Sequence, residues 1–238
     1  MRKKGMQRYI DLEQSCNSHS AVPESHDLVY VRSATAEELP VLVDLHLAAF
    51  SGFFLSFLGS RFLHELYRGF LAEPAAVLLV ASADSKPLGF VAGAAKPAKF
   101  FSRLLLRRWY AFVWAAIPAL LRQPGRVAPK LLSALTYRGD LPPLRRAALL
   151  SSIAVAPEAA GKGVGKRLVE AFCARAAELG CGSVYLLTDR DDNPRVNSFY
   201  LSTGFTLEGQ IKKDDQRWLN RYVRQCVPVQ SGEIDHVD

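Results

Sequence analysis

The chain has 238 residues, 49% hydrophobic and 22% charged, with 30 Lys and Arg against 23 Asp and Glu, a formal net charge of +7. That length and usage suit one large domain with appendages and exclude a wholly disordered or fibrous chain. Four cysteines (Cys16, Cys173, Cys181 and Cys226) make no CxxC pair, so neither a zinc ribbon nor a redox dithiol is expected, and free thiols of a cytoplasmic protein are the simpler reading.

Residues 1–27 read as a weakly ordered leader. They start basic (Arg2, Lys3, Lys4), and no apolar stretch of signal-peptide length follows. Residues 28–225 are expected to form the folded domain, and 226–238 a polar tail with Glu233, Asp235 and Asp238. Val29 to Arg32 is a short β-rich run. Thr35 then offers an N-cap, with Glu37 and Glu38 in the first turn where the helix dipole favours acids. Leu39, Leu42, Val43, Leu45, His46 and Phe50 recur at helical spacing, as do Phe62, Leu66, Tyr67 and Phe70 within Arg61 to Leu71. Ala76 to Ala81 and Leu88 to Ala94 read as two strands, joined as a hairpin by the turn chemistry of Ala83 to Pro87.

Residues 96–146 differ from the rest. They hold eleven Lys and Arg and one acid, Asp140, a net of +10, whereas the remaining residues net −3. Trp109, Tyr110, Phe112 and Trp114 stand among leucines there, in a pattern of one or two helices broken at Pro118 and Pro124. The most apolar part, Trp109 to Leu121, has 13 residues, short of the roughly 20 that a membrane span needs. The segment asks for an anionic partner. Aromatics beside arginines suit a membrane interface, and an amphipathic helical cover that snorkels its arginines is the plainer alternative. No recognised nucleic-acid motif accompanies the charge, so a nucleic-acid partner is not favoured.

Leu149 to Val155 is a continuous apolar run suited to a buried strand. It leads into Gly161, Gly163 and Gly165, and then into an amphipathic helix over Gly163 to Leu179, closed by Gly180. A glycine loop opening a helix favours anion binding: the backbone approaches closely, and the first N–H groups have no intrahelical partner. Lys162, Lys166 and Arg167 add positive charge. The alternative is a tight turn that only packs helix on strand. The loop ends Gly165-Lys166-Arg167 and spaces its glycines G-x-G-x-G, so it is neither a P-loop nor a dinucleotide fingerprint. Ser183 to Thr188 is a second apolar strand, Asn193 to Ser202 a short helix before Gly204, and Phe205 to Glu208 and Trp218 to Val223 the final strands.

Two stretches together resemble the GCN5-related N-acetyltransferase (GNAT) superfamily. One is Ser152-Ile-Ala-Val-Ala-Pro-Glu followed by Gly161-Lys-Gly-Val-Gly-Lys-Arg-Leu168. The other is Asn193-Pro-Arg-Val-Asn-Ser-Phe-Tyr200 followed by Thr203-Gly-Phe205. The likeness extends over about Val29 to Arg224. It implies an α/β GNAT fold: a central mixed, mostly antiparallel sheet flanked by helices, here with a basic helical insertion before the central strand. It implies acetyl-CoA as cosubstrate and no metal. The CoA pyrophosphate would lie on backbone donors from Gly161 through Lys162, Gly163, Val164 and Gly165 to Lys166, and the pantetheine along Ile153, Ala154 and Val155. Ala160 stands where the family has Gln or Arg, which removes one side chain but no backbone donor.

Tyr200 matches the family's general acid, a phenol that stays protonated at neutral pH; a packed aromatic is the alternative. Asn193 would contact CoA or cap its helix. The family's usual glutamate has no counterpart in Arg145-Arg-Ala-Ala-Leu-Leu150. His46, Glu158, Asp189 and Asp191 are the other proton acceptors considered, and a water relay or an acceptor arriving as free amine stays open. The expected acceptor is a small-molecule amine, for example an anionic, nucleotide-linked or lipid-linked amino sugar. A non-catalytic CoA-binding or protein-interaction role is the alternative. Peripheral contact of 96–146 with the inner face of the membrane, and a homodimer, are left open.

Overall fold

The computed structural model describes residues 28–122, 144–213 and 217–226. The leader, the tail after Cys226, Cys16 and the 123–143 part of the basic insertion, with Pro124, lie outside the described residues.

The hairpin expected from turn chemistry forms at Asp84 and Ser85. Both adopt positive φ (47° and 64°) and turn β2 (Ala76–Ala83) directly into β3 (Lys86–Ala94), the handedness that suits a tight hairpin. β1 (Tyr30–Ser33) pairs antiparallel with β2, and β4 (Ala147–Val155) with β3. β5 (Ser183–Asp189), β7 (Trp218–Gln225) and β6 (Thr206–Lys212) complete a seven-stranded sheet in the order β1-β2-β3-β4-β5-β7-β6. Only β4 and β5 run parallel. A parallel pair needs a crossover, and the helix after the glycine loop, Val164–Glu178, supplies it.

Helices cover both faces. In chain order these are α1 (Leu39–Ala49), α2 (Phe54–Leu58), α3 (Ser60–Ala72), α4 (Pro97–Arg122), α5 (Val164–Glu178) and α6 (Pro194–Ser202). Strand alternation divides the core between them. Leu78, Val80, Phe90 and Ala92 pack against α1, α3 and α4, while Val77, Leu79, Ala81 and Val91 pack against α5. Thr35 donates its backbone N–H to Glu38 Oε2 at 2.9 Å, and Arg32 grips the same carboxylate with two bonds of 2.8 Å, so the expected cap is tied to β1.

Three local expectations change. The short helix α2 follows α1 without a periodic signal of its own. The central strand is not evenly buried, because Ser151 is exposed. It is an extra residue in the ladder: Ala92 faces Ser152 and Gly93 faces Leu150, and Ser151 Oγ donates to the Ala92 carbonyl at 3.0 Å. Such a bulge bends the strand. Finally, the break expected at Pro118 falls at Arg108 instead, where the backbone leaves helical geometry (φ −127°, ψ 19°) and α4 kinks into two helical parts, the second running through Pro118 to Arg122. Phe112, Ala115, Ala116 and Ala119 are buried on both sides of the proline, and that packing outweighs one missing backbone bond.

Gly93 shows how tightly α5 lies on the sheet. A Cβ there would stand 2.1 Å from the Leu149 carbonyl oxygen and 2.4 Å from Phe172 Cζ. Gly93→Ala is therefore expected to cost about 1–3 kcal/mol through overpacking. Gly182→Ala, where nothing lies within 4 Å, should leave stability nearly unchanged. Urea unfolding of the two variants makes the comparison, and equal midpoints would contradict it.

Candidate active site

The site arises where the two parallel strands part. β4 and β5 pair through Ala147↔Ser183, Ala148↔Val184 and Leu149↔Tyr185, and no further. Each stays held on its outer side, β4 by β3 as far as Val155↔Gly89 and β5 by β7 as far as Asp189↔Leu219. The inner edges from Leu150 and Leu186 onward separate, and a cavity of ≈960 Å³ opens between them. Its walls include Leu150 to Val155 of β4 and Leu187 to Asp189 of β5. An unpaired strand edge of this kind offers backbone N–H and C=O groups to an extended ligand.

The glycine loop forms one end. Gly161 and Gly163 take left-handed backbone (φ 76° and 78°), and Gly163 is the N-cap of α5, with no side chain capping the helix. The first-turn amides of Val164, Gly165 and Lys166 thus have no intrahelical acceptor. Ala160, Gly161, Gly163, Val164, Gly165 and Lys166 all line the cavity, as do Ile153, Ala154 and Val155. Lys162 does not line it; its N–H reaches back to the Ala159 carbonyl at 3.3 Å. Gly165 has a packing task as well, since a Cβ there would lie 3.2 Å from the Phe199 ring.

α6 brings Tyr200 to the same cavity. The ring packs against Phe199, Phe205 and Tyr222 at centroid distances of 5.3, 5.7 and 6.1 Å, and burial holds its phenol well above the ordinary tyrosine range. Asn193 lines the cavity at the N-cap of α6 but makes no side-chain cap. Its Nδ2 donates instead to Thr188 Oγ1 at 3.0 Å, tying α6 to β5. Asn197, which sequence reading passed over, extends the tie. Its Nδ2 donates to the Asp189 carbonyl at 3.0 Å, and its Oδ1 accepts from Asn220 Nδ2 at 2.9 Å and Tyr222 Oη at 3.0 Å. The signal was its place four residues after Asn193, one helical turn on.

The opposite wall is aromatic: Phe50, Phe53 and Phe54, with His46 behind them. Arg217 lies over the Phe53 ring at 5.6 Å and holds Asp189 with bonds of 2.6 and 3.0 Å. Nothing local in the sequence marks Arg217, because its partners are far away in the chain. The proton acceptors considered from sequence are all engaged or enclosed. Asp189 is held by Arg217. Asp191 pairs with Arg190, and Glu158 with Lys86, and neither lines the cavity. His46 is buried, its Nδ1 2.6 Å from Tyr67 Oη and its Nε2 buried without a partner. Burial lowers its pKa to about 4, so it is neutral at pH 7. Behind it, burial raises the Tyr67 phenol against the opposing effect of a hydrogen bond with Ser152. No group of three or more His, Cys, Asp or Glu able to hold a metal occurs among the described residues.

Comparison with known proteins gives three results. A family model described as Acetyltransferase (GNAT) family matches residues 42–205, more than half of the chain. No curated protein matches. Solved structures share the fold at low identity. yncA from Salmonella typhimurium, solved with its cofactor acetyl-CoA, is 13% identical with a TM-score of 0.52, over 87% of this chain and 98% of that one. A spermidine N-acetyltransferase SpeG chimera from Vibrio cholerae and hSSAT is 16% identical, TM-score 0.53, over 83% and 95%. A ribosomal-protein-alanine N-acetyltransferase from Brucella melitensis is 16% identical, TM-score 0.53, over 82% and 99%. The last two names carry different acceptors on one fold, so the fold does not choose the acceptor.

The buried imidazole has a consequence for stability. The folded pKa of His46, about 4, lies below the unfolded value of 6.5. The unfolded chain therefore binds this proton first as pH falls, and stability is lost between those values at about 1.4 kcal/mol per pH unit. His46→Gln should lose roughly 3 kcal/mol less than the unmodified protein across that window. Urea titrations at stepped pH test this, and parallel profiles for the two proteins would contradict it.

Proposed function

This chain belongs to the acetyltransferase (GNAT) family, and we propose that its cavity takes acetyl-CoA and passes the acetyl group to a primary amine that enters beside Phe50, Phe53 and Phe54. The observation that carries the reading is the parted β4 edge leading to uncapped first-turn amides of α5. One end of the cavity suits a pyrophosphate, and the strand edge between suits an extended amide-bearing arm. Acetyl-CoA, when bound, supplies the acetyl group as a thioester, whose carbonyl carbon the amine attacks with release of the thiol.

The chain's own residues have distinct parts in this. Val164, Gly165 and Lys166 donate backbone N–H groups to phosphate oxygens, and Gly161 and Gly163 give the loop the backbone it needs. Ile153, Ala154 and Val155 present the open strand edge, and Asn193 holds α6 against β5. Tyr200, kept protonated by its burial, donates its hydroxyl proton to the departing sulfur. Among the described lining residues, Asp189 is held by Arg217, and His46 keeps its Nε2 buried, so neither offers an open site for the amine's proton. The proton leaves to water, or the acceptor enters already neutral.

The lining also bears on the acceptor. Among the described lining residues, four cations (Lys166, Arg195, Lys213 and Arg217) stand against one carboxylate, Asp189. That balance disfavours a polyamine and suits an amine on an apolar or anionic body. A nucleotide-linked or lipid-linked amino sugar is of that kind. That no free carboxylate occurs among the described lining residues favours a second reading, a member that binds CoA without turnover.

Calorimetry with CoA followed by thiol release with an amine panel separates the two readings. Binding with turnover is expected, together with a faster rate for an amphiphilic or anionic amine than for spermidine. Binding without turnover on any amine would support the second reading, and no heat with CoA would defeat both. Tyr200→Phe should lower kcat by about 10²-fold or more with CoA affinity kept. With no enzyme base, the rise of kcat/KM with pH should follow the pKa of whichever acceptor is used. A profile fixed across acceptors would instead reveal a titrating group of the protein.

A further inference from the structure

We propose that the outer face of α4 is a docking surface for an anionic lipid bilayer. The helix has two apolar faces. The inner one, with Phe100, Leu104, Phe112 and Ala119, belongs to the core under α3 and the sheet. The outer one carries Leu106, Trp109, Tyr110, Val113, Trp114 and Leu121, all exposed, with Leu106 at 77%, Trp114 at 72% and Leu121 at 79%. Past the kink at Arg108, positions 109, 110, 113, 114, 117 and 121 fall on one face of the helical part that ends at Arg122, so these side chains form one stripe there, with Leu106 just before the kink. A contiguous exposed apolar stripe marks a contact surface.

Charge selects the partner. α4 holds five cations (Lys99, Arg103, Arg107, Arg108 and Arg122) and no acid. α3 and the residue after it offset part of this: Glu73, just past α3, serves both Arg103 and Arg107, and Glu65 serves Arg108. Tryptophan and tyrosine on a helix edged by arginines match the interface of a bilayer, where rings sit at headgroup depth and cations meet lipid phosphates. No helix among the described residues is long and apolar enough to cross a membrane, so α4 would lie on the surface. A second copy of this chain fits less well, because a symmetric contact through this face would bring its cations together. A nucleic-acid backbone would use the arginines but would leave Leu106, Val113 and Leu121 without apolar contact.

Phe57 and Arg122 line one hollow beside α4. Phe53, four residues before Phe57, lines the cavity and is itself exposed. From α4 that hollow takes Ala115, Pro118, Ala119 and Arg122, so the aromatic wall adjoins the flank of α4 and not its outer stripe. The docking proposal stands without the catalytic one, and its test reads partition and not activity.

The test sediments the full chain with vesicles of phosphatidylcholine alone and of equimolar phosphatidylcholine and phosphatidylglycerol. Binding is expected to the anionic vesicles and to weaken with salt. Two variants follow, both at exposed positions and both checked for an unchanged melting curve. Trp109→Ser with Trp114→Ser, and Lys99→Gln with Arg122→Gln, should each lower the partition by about tenfold or more at low salt. Recovery of the unmodified protein in the supernatant with both vesicle types overturns the proposal. So does anionic binding that the tryptophan pair does not change. A concentration-dependent dimer, or oligonucleotide binding, that the tryptophan pair abolishes while vesicle binding is absent would assign the face to those partners instead.

Discussion

The parting of β4 from β5 is the constraint on which the rest of the molecule turns. Two parallel strands begin as neighbours and pair over Ala147 to Leu149, and each is then claimed by a different outer partner. Ser151, inserted into the ladder against β3, bends β4 at the residue where the parting begins. A sheet that stayed closed would bury Ile153 to Val155 against β5 and leave no room for a ligand. The opening costs the hydrogen bonds of half a strand, and a ligand with its own amides can restore them.

The two sides of the opening are fastened by different chemistry. On the β4 side the packing is apolar: α5 lies so close that Gly93 accommodates Phe172 only by having no side chain. On the β5 side the fastening is polar. Asn193, Asn197, Asn220 and Tyr222 tie α6 to β5 and β7, and Asp189 is pinned by Arg217. Buried amides of this kind are costly when half-satisfied and rigid when satisfied. They fix the place of α6, and with it the place of the Tyr200 hydroxyl.

The basic insertion resolves into a helix that does two things at once. Its inner side completes the core over α3, with Phe62 and Phe112 at 5.0 Å and Phe70 and Phe100 at 4.6 Å. Its outer side keeps Leu106, Trp109, Tyr110, Val113, Trp114 and Leu121 exposed. The cover that packs on the core and the exposed aromatic side, alternatives when the segment is read as a string, are opposite sides of one helix. The aromatic wall at Phe53 and Phe54 lies beside this helix through α2, so the insertion and the acceptor end of the cavity share a neighbourhood.

Much of this was legible in the chain. The apolar run from Ala76 to Ala81 and the helical spacing from Leu39 to Phe50 are local signals, and they gave elements within a few residues of those observed. The pair of motifs around Gly163 and Tyr200 identified the fold. Glycines marked some of the left-handed positions, since Gly161, Gly163, Gly180 and Gly204 all take positive φ, but Asp84, Ser85, Arg146 and Asp192 take it too. Only the tertiary structure decided that α4 runs through Pro118, that Asn193 ties a strand and does not cap a helix, and that Asp189 is neutralised by Arg217. The physical reason is the same each time. Propensity and turn chemistry act over a few residues, whereas these outcomes depend on which distant surface a side chain meets once the sheet has formed.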